Sequence, residues 1–229
     1  MIVTLIQTEF RLLASRGVFW PEQRMLLVSD LHLGKEATFR ASGVAVPRGS
    51  TDATLAAVSQ MISETGAERV TILGDLFHAR SSLAENVRNS FSQFLDRHSE
   101  LEIALVMGNH DIATGPLSSD WPLRVVSPPW DIDGVTLEHF PSQPHGDSQL
   151  CLSGHLHPAI RLGDAISQTA KLPCFFFDAA RSCLILPAIG QFTGTALVQP
   201  ACEDRIWVVA DDEVIEVAAT RSPRRKQIR

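Results

Sequence analysis

The sequence lacks the features that mark secreted, disulfide-stapled or membrane-bound proteins. None of its four cysteines belongs to a Cys-x-x-Cys pair, and 229 residues are enough to bury a core without disulfides. We therefore expect reduced, mostly buried thiols. No basic segment precedes an apolar run at the N-terminus, and prolines and glycines interrupt the uncharged stretch 182–202. Neither a signal peptide nor a membrane span is predicted, and the expected location is the cytoplasm.

An excess of basic residues is also missing. Asp and Glu number 26 against 20 Lys and Arg, which gives a net charge of −6. This balance argues against broad, nonspecific binding of nucleic acid through a basic surface. It still permits a polyanionic substrate, because bound divalent cations would neutralise several of the carboxylates.

The chain has no repeat of fixed period and no low-complexity tract. With 45% hydrophobic and 20% charged residues, its composition is that of an ordinary globular protein. We predict a single domain over residues 1–220 and a basic, disordered tail over 221–229, where five side chains are basic. A polyanion-binding arm is the alternative interpretation of that tail.

What the sequence does contain is four short polar segments, each of which follows a hydrophobic run. They are Ser29-Asp30-Leu31-His32, Gly74-Asp75-Leu76-Phe77-His78, Gly108-Asn109-His110-Asp111 and Gly154-His155-Leu156-His157. One such segment has little meaning by itself. Four in this order indicate a hydrolytic centre that binds two metal ions.

The segments around these motifs predict an α/β protein. In the first half, strands are expected over 3–6, 10–13, 25–28, 70–73 and 103–106, and helices over 50–65 and 83–98. From residue 124 onward the candidates are strands, over 135–137, 150–152, 174–177, 183–186, 206–209 and 214–217. Alternation of strand, motif and helix is typical of folds in which ligands collect at the carboxyl ends of strands.

The residue types in the motifs limit which metal ions the site is expected to bind. Carboxylate, imidazole and amide oxygen together suit manganese, iron or zinc better than calcium. The absence of cysteine from the motifs argues against structural zinc. Asp30 and His32 are two residues apart, as are His155 and His157, so on extended segments both members of each pair would point into one site.

The ordered motifs resemble those of the calcineurin-like metallophosphoesterases over residues 25–160. The resemblance implies a four-layer α-β-β-α sandwich of two mixed β-sheets flanked by helices, with two divalent metal ions. Manganese is the expected metal, with iron or zinc as alternatives. The implied ligands are Asp30, His32 and His157 for one metal, Asp75 for both, and Asn109 and His155 for the other.

The same family implies further roles. It requires another histidine ligand between the third and fourth motifs, and we prefer His139 to His145 because His139 directly follows a predicted strand. His110 matches the catalytic histidine, which stabilises the phosphoryl oxygens and protonates the leaving group. Many relatives orient this histidine with an Asp where this chain has His78. Either His78 or Asp111 takes that supporting role here, or the acid step is weaker.

A finer resemblance, to the bacterial ligase-associated metallophosphoesterases, covers more of the chain. The additional matching residues are Lys35, Glu36, Phe39, Arg40, Gly43, Pro47, Pro158, Pro187, Gly190, Phe192 and Gly194. This resemblance implies a phosphodiesterase or nuclease that acts on DNA in repair. DNA is then the expected substrate, and the DNA ligase, nuclease and helicase of the same repair system are candidate partners.

Basic residues near the motif loops are candidates for binding a neighbouring phosphate. They are Lys35, Arg40, Arg48 and Arg80, and each of them also fits a plain surface cation. We favour Arg48 and Arg80 for phosphate binding.

Two other functions are compatible with the same motifs. One is a small-molecule phosphomonoesterase or cyclic-nucleotide phosphodiesterase, although no insert that would cap a small pocket is evident. The other is a non-catalytic scaffold on the same fold. The sequence keeps the catalytic histidine and all the ligands, which argues against a scaffold.

Overall fold

Two β-sheets pack face to face and bring the four motifs to one edge of the structure. The computed structural model describes residues 1–41, 43–47, 49–162 and 170–218. The sheets divide the chain in order, because the first contains the strands up to residue 126 and the second those from residue 130 onward.

The first sheet has seven strands in chain order. They are β1 (Ile2–Leu5), β2 (Thr8–Leu12), β3 (Val18–Trp20), β4 (Met25–Val28), β5 (Arg69–Leu73), β6 (Glu102–Val106) and β7 (Arg124–Val126). Neighbours from β1 to β4 are antiparallel, and those from β4 to β7 are parallel. All four residues of β4 are buried, as expected for a strand covered on both faces.

Along the chain, the helices occur in the connections between strands of this first sheet. They are α1 (Lys35–Ala41), α2 (Ser50–Thr65), α3 (Glu85–Arg97) and α4 (Asn109–Thr114), and a 3-10 helix spans Arg80–Ser82. The apolar residues of α2 and α3 recur at helical spacing, and they pack with β4, β5 and β6 in one core cluster. Helix α2 has the predicted bounds, whereas α3 is two residues shorter than predicted at its start and one at its end.

The second sheet has nine strands. They are β8 (Trp130–Ile132), β9 (Val135–Leu137), β10 (Leu150–Ser153), β11 (Pro158–Leu162), β12 (Ala170–Asp178), β13 (Cys183–Ile185), β14 (Ala196–Leu197), β15 (Arg205–Ala210) and β16 (Glu213–Val217). The central order is β14-β11-β12-β13-β10-β9-β8, and β15 joins β12 and β16. In the centre of this sheet, β10 pairs in parallel with both β9 and β13.

The facing sides of the two sheets form a second core cluster. It combines Phe10, Trp20 and Leu27 of the first sheet with Phe175 and Trp207 of the second, and all five side chains are buried. These tryptophans therefore contribute packing. Burial of such large apolar side chains against each other is the main force that holds the sheets together.

The predicted fold class, α/β with two mixed sheets, is confirmed. Within the described ranges no helix follows Thr114, so the outer face of the second sheet is packed by a smaller cluster of strand and loop residues. Three free cysteines are buried in that cluster and Cys202 is exposed, in agreement with the expected reduced thiols. None of the helices in the described part of the chain is long and apolar enough to cross a membrane. The tail 221–229 lies outside the described residues.

Candidate metal centre

The motif residues lie at the edge of the structure where strands of both sheets have their carboxyl ends. Asp30, Asp75 and Asn109 follow β4, β5 and β6, which are adjacent parallel strands, so their side chains converge. His139 and His155 follow β9 and β10 of the second sheet. Contact between the sheets is direct at this edge, because the backbone N–H of His155 donates to Asp30 Oδ2 at 3.0 Å.

The ligand residues have unusual backbone conformations. Asp30, His32, Asp75, His155 and His157 all have positive φ, between 44° and 67°. The prediction that the two pairs lie on extended segments is therefore wrong: the chain turns at each of these residues directly after a strand. A side chain in this left-handed region costs about 1–3 kcal/mol, and such strain is found mainly at functional sites.

The first ligand group consists of Asp30, His32 and His157. Their ligand atoms lie within 4.8 Å of one another. Asp30 Oδ1, His32 Nε2 and His157 Nε2 are all buried and make no hydrogen bond to a described residue, and Asp30 Oδ1 lies 3.0 Å from His157 Nε2. Because an unpaired buried polar atom is costly, three of them aimed at one point fit a bound cation.

The second ligand group consists of Asp75, His139 and His155, and Asn109 adjoins it. Asn109 Oδ1 lies 3.0 Å and His155 Nδ1 lies 3.1 Å from His139 Nε2. Atoms this close need either a proton on one of the nitrogens or a shared cation to hold them together. The mixed set of oxygen and nitrogen atoms suits a divalent transition metal.

Asp75 lies between the two groups. Its Oδ2 is 3.4 Å from His139 Nε2 and 3.8 Å from His32 Nε2, while its Oδ1 accepts the backbone N–H of His110 at 2.9 Å. The hydrogen bond from His110 thus fixes Oδ1, and Oδ2 faces both ligand groups. This is the arrangement expected of a bridging ligand.

Backbone carbonyls fix which nitrogen each of two histidines presents to the site. His139 Nδ1 lies 3.0 Å from the Leu73 carbonyl, and His157 Nδ1 lies 2.9 Å from the Gly194 carbonyl. A carbonyl only accepts, so each Nδ1 carries the proton and donates it. In the neutral imidazole this leaves Nε2 with a free lone pair, which is the form that binds a metal.

The electrostatics of the second group favour positive charge. Burial alone would lower the pKa of His139, yet the contact and charge of Asp75 raise it above its usual value. Burial would likewise raise the pKa of Asp75, but the hydrogen bond and charge of His139 hold it below its usual value. A divalent metal supplies the same positive charge.

His110 is held beside the first ligand group with one nitrogen free. Its Nδ1 donates to the backbone carbonyl of His78 at 2.5 Å, so its Nε2 faces the site, 3.9 Å from Asp75 Oδ2. A third of the His110 side chain is exposed. The hydrogen bond that orients His110 is therefore the one to the backbone carbonyl of His78, and among the described residues Asp111 makes no hydrogen bond to the His110 ring.

Asp111 and the His78 ring have other contacts. Asp111 accepts the backbone N–H groups of Gly108, Asp75 and Leu76 at 2.7–3.0 Å, which ties the second motif to the third. Burial raises the pKa of Asp111 to about 6. The His78 ring stacks on that of His110 at 5.1 Å, and the two form a third cluster of potential metal ligands with His32.

Burial keeps two of the histidines neutral. It lowers the pKa of His32 to about 3 and that of His78 to about 4, and the charge of Lys35 acts in the same direction on both. A neutral imidazole is needed for metal binding, because a protonated ring has no free lone pair there.

The remaining candidates lie in different places. His145 pairs with Asp131 at 2.9 Å on the surface, apart from the ligand groups. Arg80 is exposed in the 3-10 helix next to Gly115, and Arg48 lies outside the described residues. Lys35 is half-buried, and its ammonium group makes no hydrogen bond or ion pair with a described residue. Burial lowers the pKa of Lys35, which the carboxylates of Asp30 and Asp75 partly offset.

Sequence reasoning missed the supporting groups. The carbonyls of Leu73, His78 and Gly194 have no signal in residue type, since every residue has one. The Ser29 hydroxyl donates to Asp30 Oδ2. Ser29 is part of the first motif, but it was assigned no role from the sequence. Its position directly before a ligand was the available signal.

Comparison with known proteins agrees with this geometry. A model of the calcineurin-like phosphoesterase family matches residues 23–178. The crystal structure of Pseudomonas putida nuclease MPE is 33% identical, covers 95% of this chain and 99% of its own, and has a TM-score of 0.81. Yfce, a phosphoesterase from E. coli, is 15% identical over 86% of this chain and 99% of its own, with a TM-score of 0.39. Comparison with curated protein sequences gives no match.

The family model spans most of the chain, and all the histidines and carboxylates of the two ligand groups lie within the matched residues. The chain therefore belongs to the calcineurin-like phosphoesterase family and is a metal-dependent hydrolase of phosphoric esters.

Proposed function

We propose that the protein binds two divalent metal ions and cleaves phosphodiester bonds in DNA. The observation that carries this proposal is the position of Asp75 Oδ2 between two separate ligand groups. The nuclease name of the 33% identical Pseudomonas putida structure, which matches 95% of this chain, supports a nucleic acid as the substrate, and the resemblance to the ligase-associated metallophosphoesterases favours DNA. The oxygen and nitrogen ligands suit manganese, with iron or zinc as alternatives.

The first metal would be held by Asp30, His32, His157 and Asp75, and the second by Asp75, Asn109, His139 and His155. When bound, the metals supply an activated water molecule and positive charge against the phosphoryl oxygens.

The chain itself contributes a proton donor and a cation. His110 Nε2 is free and partly exposed, so in its protonated form it can donate to the oxygen of the leaving group. Lys35 has an ammonium group with no partner among the described residues, next to the first ligand group, and it can contact a phosphate oxygen. We therefore now favour Lys35 as well as Arg80 and Arg48 for phosphate binding.

Hydrolysis of two simple esters tests the reaction type. With manganese, we expect cleavage of bis-p-nitrophenyl phosphate, a diester, in preference to p-nitrophenyl phosphate, a monoester. Asp75→Asn should abolish this activity and lower the metal content. Asp131→Asn, at an exposed carboxylate that pairs with His145, is the matched control and should retain it.

The alternatives predict other outcomes. Preference for the monoester would favour a small-molecule phosphatase. Two bound metals with no hydrolysis of either ester would favour a non-catalytic scaffold. If the diester is cleaved, a labelled DNA oligonucleotide is the next substrate, and its resistance would limit the proposal to small diesters.

A role in DNA repair within the cytoplasm extends this proposal. Because the chain has a net charge of −6, we expect a partner such as the ligase, nuclease or helicase of a repair system to deliver the DNA. The isolated protein should then bind DNA weakly and in a salt-sensitive manner. Tight binding at physiological salt concentration would rule out the need for such a partner.

A further inference from the structure

Two exposed phenylalanines lie beside the ligand groups. Phe140 is 47% exposed and Phe192 is 43% exposed. Single exposed apolar side chains are common on protein surfaces and normally need no explanation. Among the large exposed apolar side chains of the described residues, these two are the aromatic ones, and each is fixed by contacts with residues of the ligand groups.

Phe140 lies at the second ligand group. It directly follows His139, and its ring centroid is 5.0 Å from that of His139 and 4.4 Å from that of His155. One part of the ring is therefore fixed against two ligand imidazoles, and nearly half of the side chain remains open to solvent.

Phe192 lies in a loop whose backbone is anchored on both sides to residues of the first ligand group. The Gly190 N–H donates to the Asp30 carbonyl at 3.1 Å, and His157 Nδ1 donates to the Gly194 carbonyl at 2.9 Å. Phe192 is the central residue of this span, so the metal ligands themselves fix its position.

The anchored loop holds Phe192 in a costly conformation. Its φ of 59° lies in the left-handed region, which a bulky side chain adopts at a cost of about 1–3 kcal/mol. A Cβ at Gly190 would overlap the Leu31 carbonyl and lie 2.9 Å from that of Asp30, so the loop packs closely on the first motif. The strain keeps an apolar ring exposed, which packing of the fold alone does not require.

The charge of the chain explains why exposed rings would be useful at this site. A protein with a net charge of −6 gains little from electrostatic attraction to a polyanion, apart from the bound metals and a few cations such as Lys35. Stacking of nucleobases on aromatic rings supplies binding energy without a basic surface, and it works for every base because each has a π-face.

We infer that the rings of Phe140 and Phe192 stack on the nucleobases that flank the scissile phosphate, one ring beside each ligand group. This inference rests on the proposed DNA substrate. It gives both residues a role in positioning the strand over the metals without selecting its sequence.

The test compares two labelled oligomers of equal length and identical sugar-phosphate charge. One is a thymidine oligomer, and the other consists of abasic tetrahydrofuran residues. The full chain is loaded with manganese, and the readout is the ratio of kcat/KM for the thymidine oligomer to that for the abasic one. We expect this ratio to fall about 5- to 150-fold in Phe140→Ala and in Phe192→Ala.

Two further variants separate stacking from loss of structure. Phe192→Trp keeps an aromatic ring and should keep the ratio high. Ile215→Ala removes an equally exposed apolar side chain from β16 and should leave the ratio unchanged.

The possible results are distinct. A wild-type ratio near one, or an equal loss on both oligomers in the phenylalanine variants, would overturn the stacking role. Hydrolysis of bis-p-nitrophenyl phosphate without cleavage of either oligomer would overturn the proposed DNA substrate, and the inference with it. Failure to cleave any diester would overturn the phosphodiesterase proposal itself.

Discussion

At the scale of single residues, the atoms that we propose as metal ligands are oriented by groups that are not themselves proposed ligands. Asp30 is the clearest case, because its Oδ2 accepts from the Ser29 hydroxyl and from the His155 N–H. Its Oδ1 makes no hydrogen bond to a described residue and lies 3.0 Å from His157 Nε2 within the first ligand group. Without these donors the carboxylate could rotate, and the position of its free oxygen would be lost.

Removal of the Ser29 hydroxyl should therefore weaken metal binding. We expect Ser29→Ala to lower manganese affinity by about 10–100-fold, since loss of a group that orients a ligand typically has this effect. Titration followed by calorimetry measures the change directly.

Ser153→Ala is the matched control for this prediction. Ser153 is also buried at the end of a strand, but its hydroxyl contacts Cys183 rather than a ligand. Equal loss of affinity in both variants would show that general packing, not orientation of Asp30, is responsible.

His110 should matter more as the leaving group becomes poorer. An alkoxide from DNA needs a proton as it departs, whereas p-nitrophenolate is stable without one. We expect His110→Gln to lower the rate of DNA cleavage by about 10²–10⁴-fold and that of bis-p-nitrophenyl phosphate much less.

The comparison needs a histidine outside the site. His98 contacts Ser59 at the end of α3, so His98→Gln should cleave both substrates at the wild-type rate. An equal loss on both substrates in His110→Gln would indicate that His110 acts through phosphate binding or metal affinity rather than as an acid.

At the scale of the elements, glycines allow the two sheets to approach at the metal centre. A Cβ at Gly154, which follows β10, would overlap the Ser29 hydroxyl and lie 2.6 Å from Asp30 Oδ2. At Gly74, which follows β5, a Cβ would overlap the His139 ring. Each glycine thus sets how closely a ligand of one sheet approaches the other sheet.

Gly154→Ala should separate the sheets at this edge. We expect the variant to lose about 1–3 kcal/mol of unfolding free energy, as usual for overpacking, and most of its metal affinity. Gly194→Ala is the matched control, because a Cβ there has open space and the backbone φ is not positive. Urea unfolding and metal titration of both variants check the prediction, and wild-type metal affinity in Gly154→Ala would contradict it.

The elements also show how much of the fold could be read from the sequence. Continuous apolar runs predicted β4, β5 and β6, and helical spacing predicted α2 and α3. Short elements escaped prediction because they contain too few residues for a period to be visible. Helix α1 has seven residues, α4 begins inside the third motif, and β11 begins with Pro158.

The sequence predicted which residues lie together at the site better than it predicted their backbone conformation and exposure. In the structure the residues predicted as ligands lie in two adjoining groups, which include His139 and leave His145 on the surface, and their binding of metal stays a prediction. The turn at each ligand pair was missed, since positive φ at Asp and His is uncommon and leaves no trace in the spacing. The exposure of Phe140 and Phe192 was likewise not visible, because it depends on contacts between distant segments.

At the scale of the whole molecule, stability and metal binding rest on different parts of the structure. The two large core clusters consist of apolar side chains from the sheets, α2 and α3, and they contain none of the ligands. The metal centre instead adds strained backbone and buried polar atoms without partners at one edge. We therefore expect the metal-free protein to remain folded but to be less stable.

Removal of metal should lower the melting temperature without unfolding the protein. A ligand that binds only the folded state at 100 times its Kd adds about 2.7 kcal/mol for one site. For a chain of this size, that corresponds to about 5–11 °C in Tm. We expect EDTA to lower Tm by this amount or more, and far-ultraviolet circular dichroism at 25 °C to stay unchanged. Asp75→Asn should melt near the metal-free wild type and respond little to EDTA. Unfolding of the wild type on chelation would contradict this separation, because it would make the metals part of the core's stability.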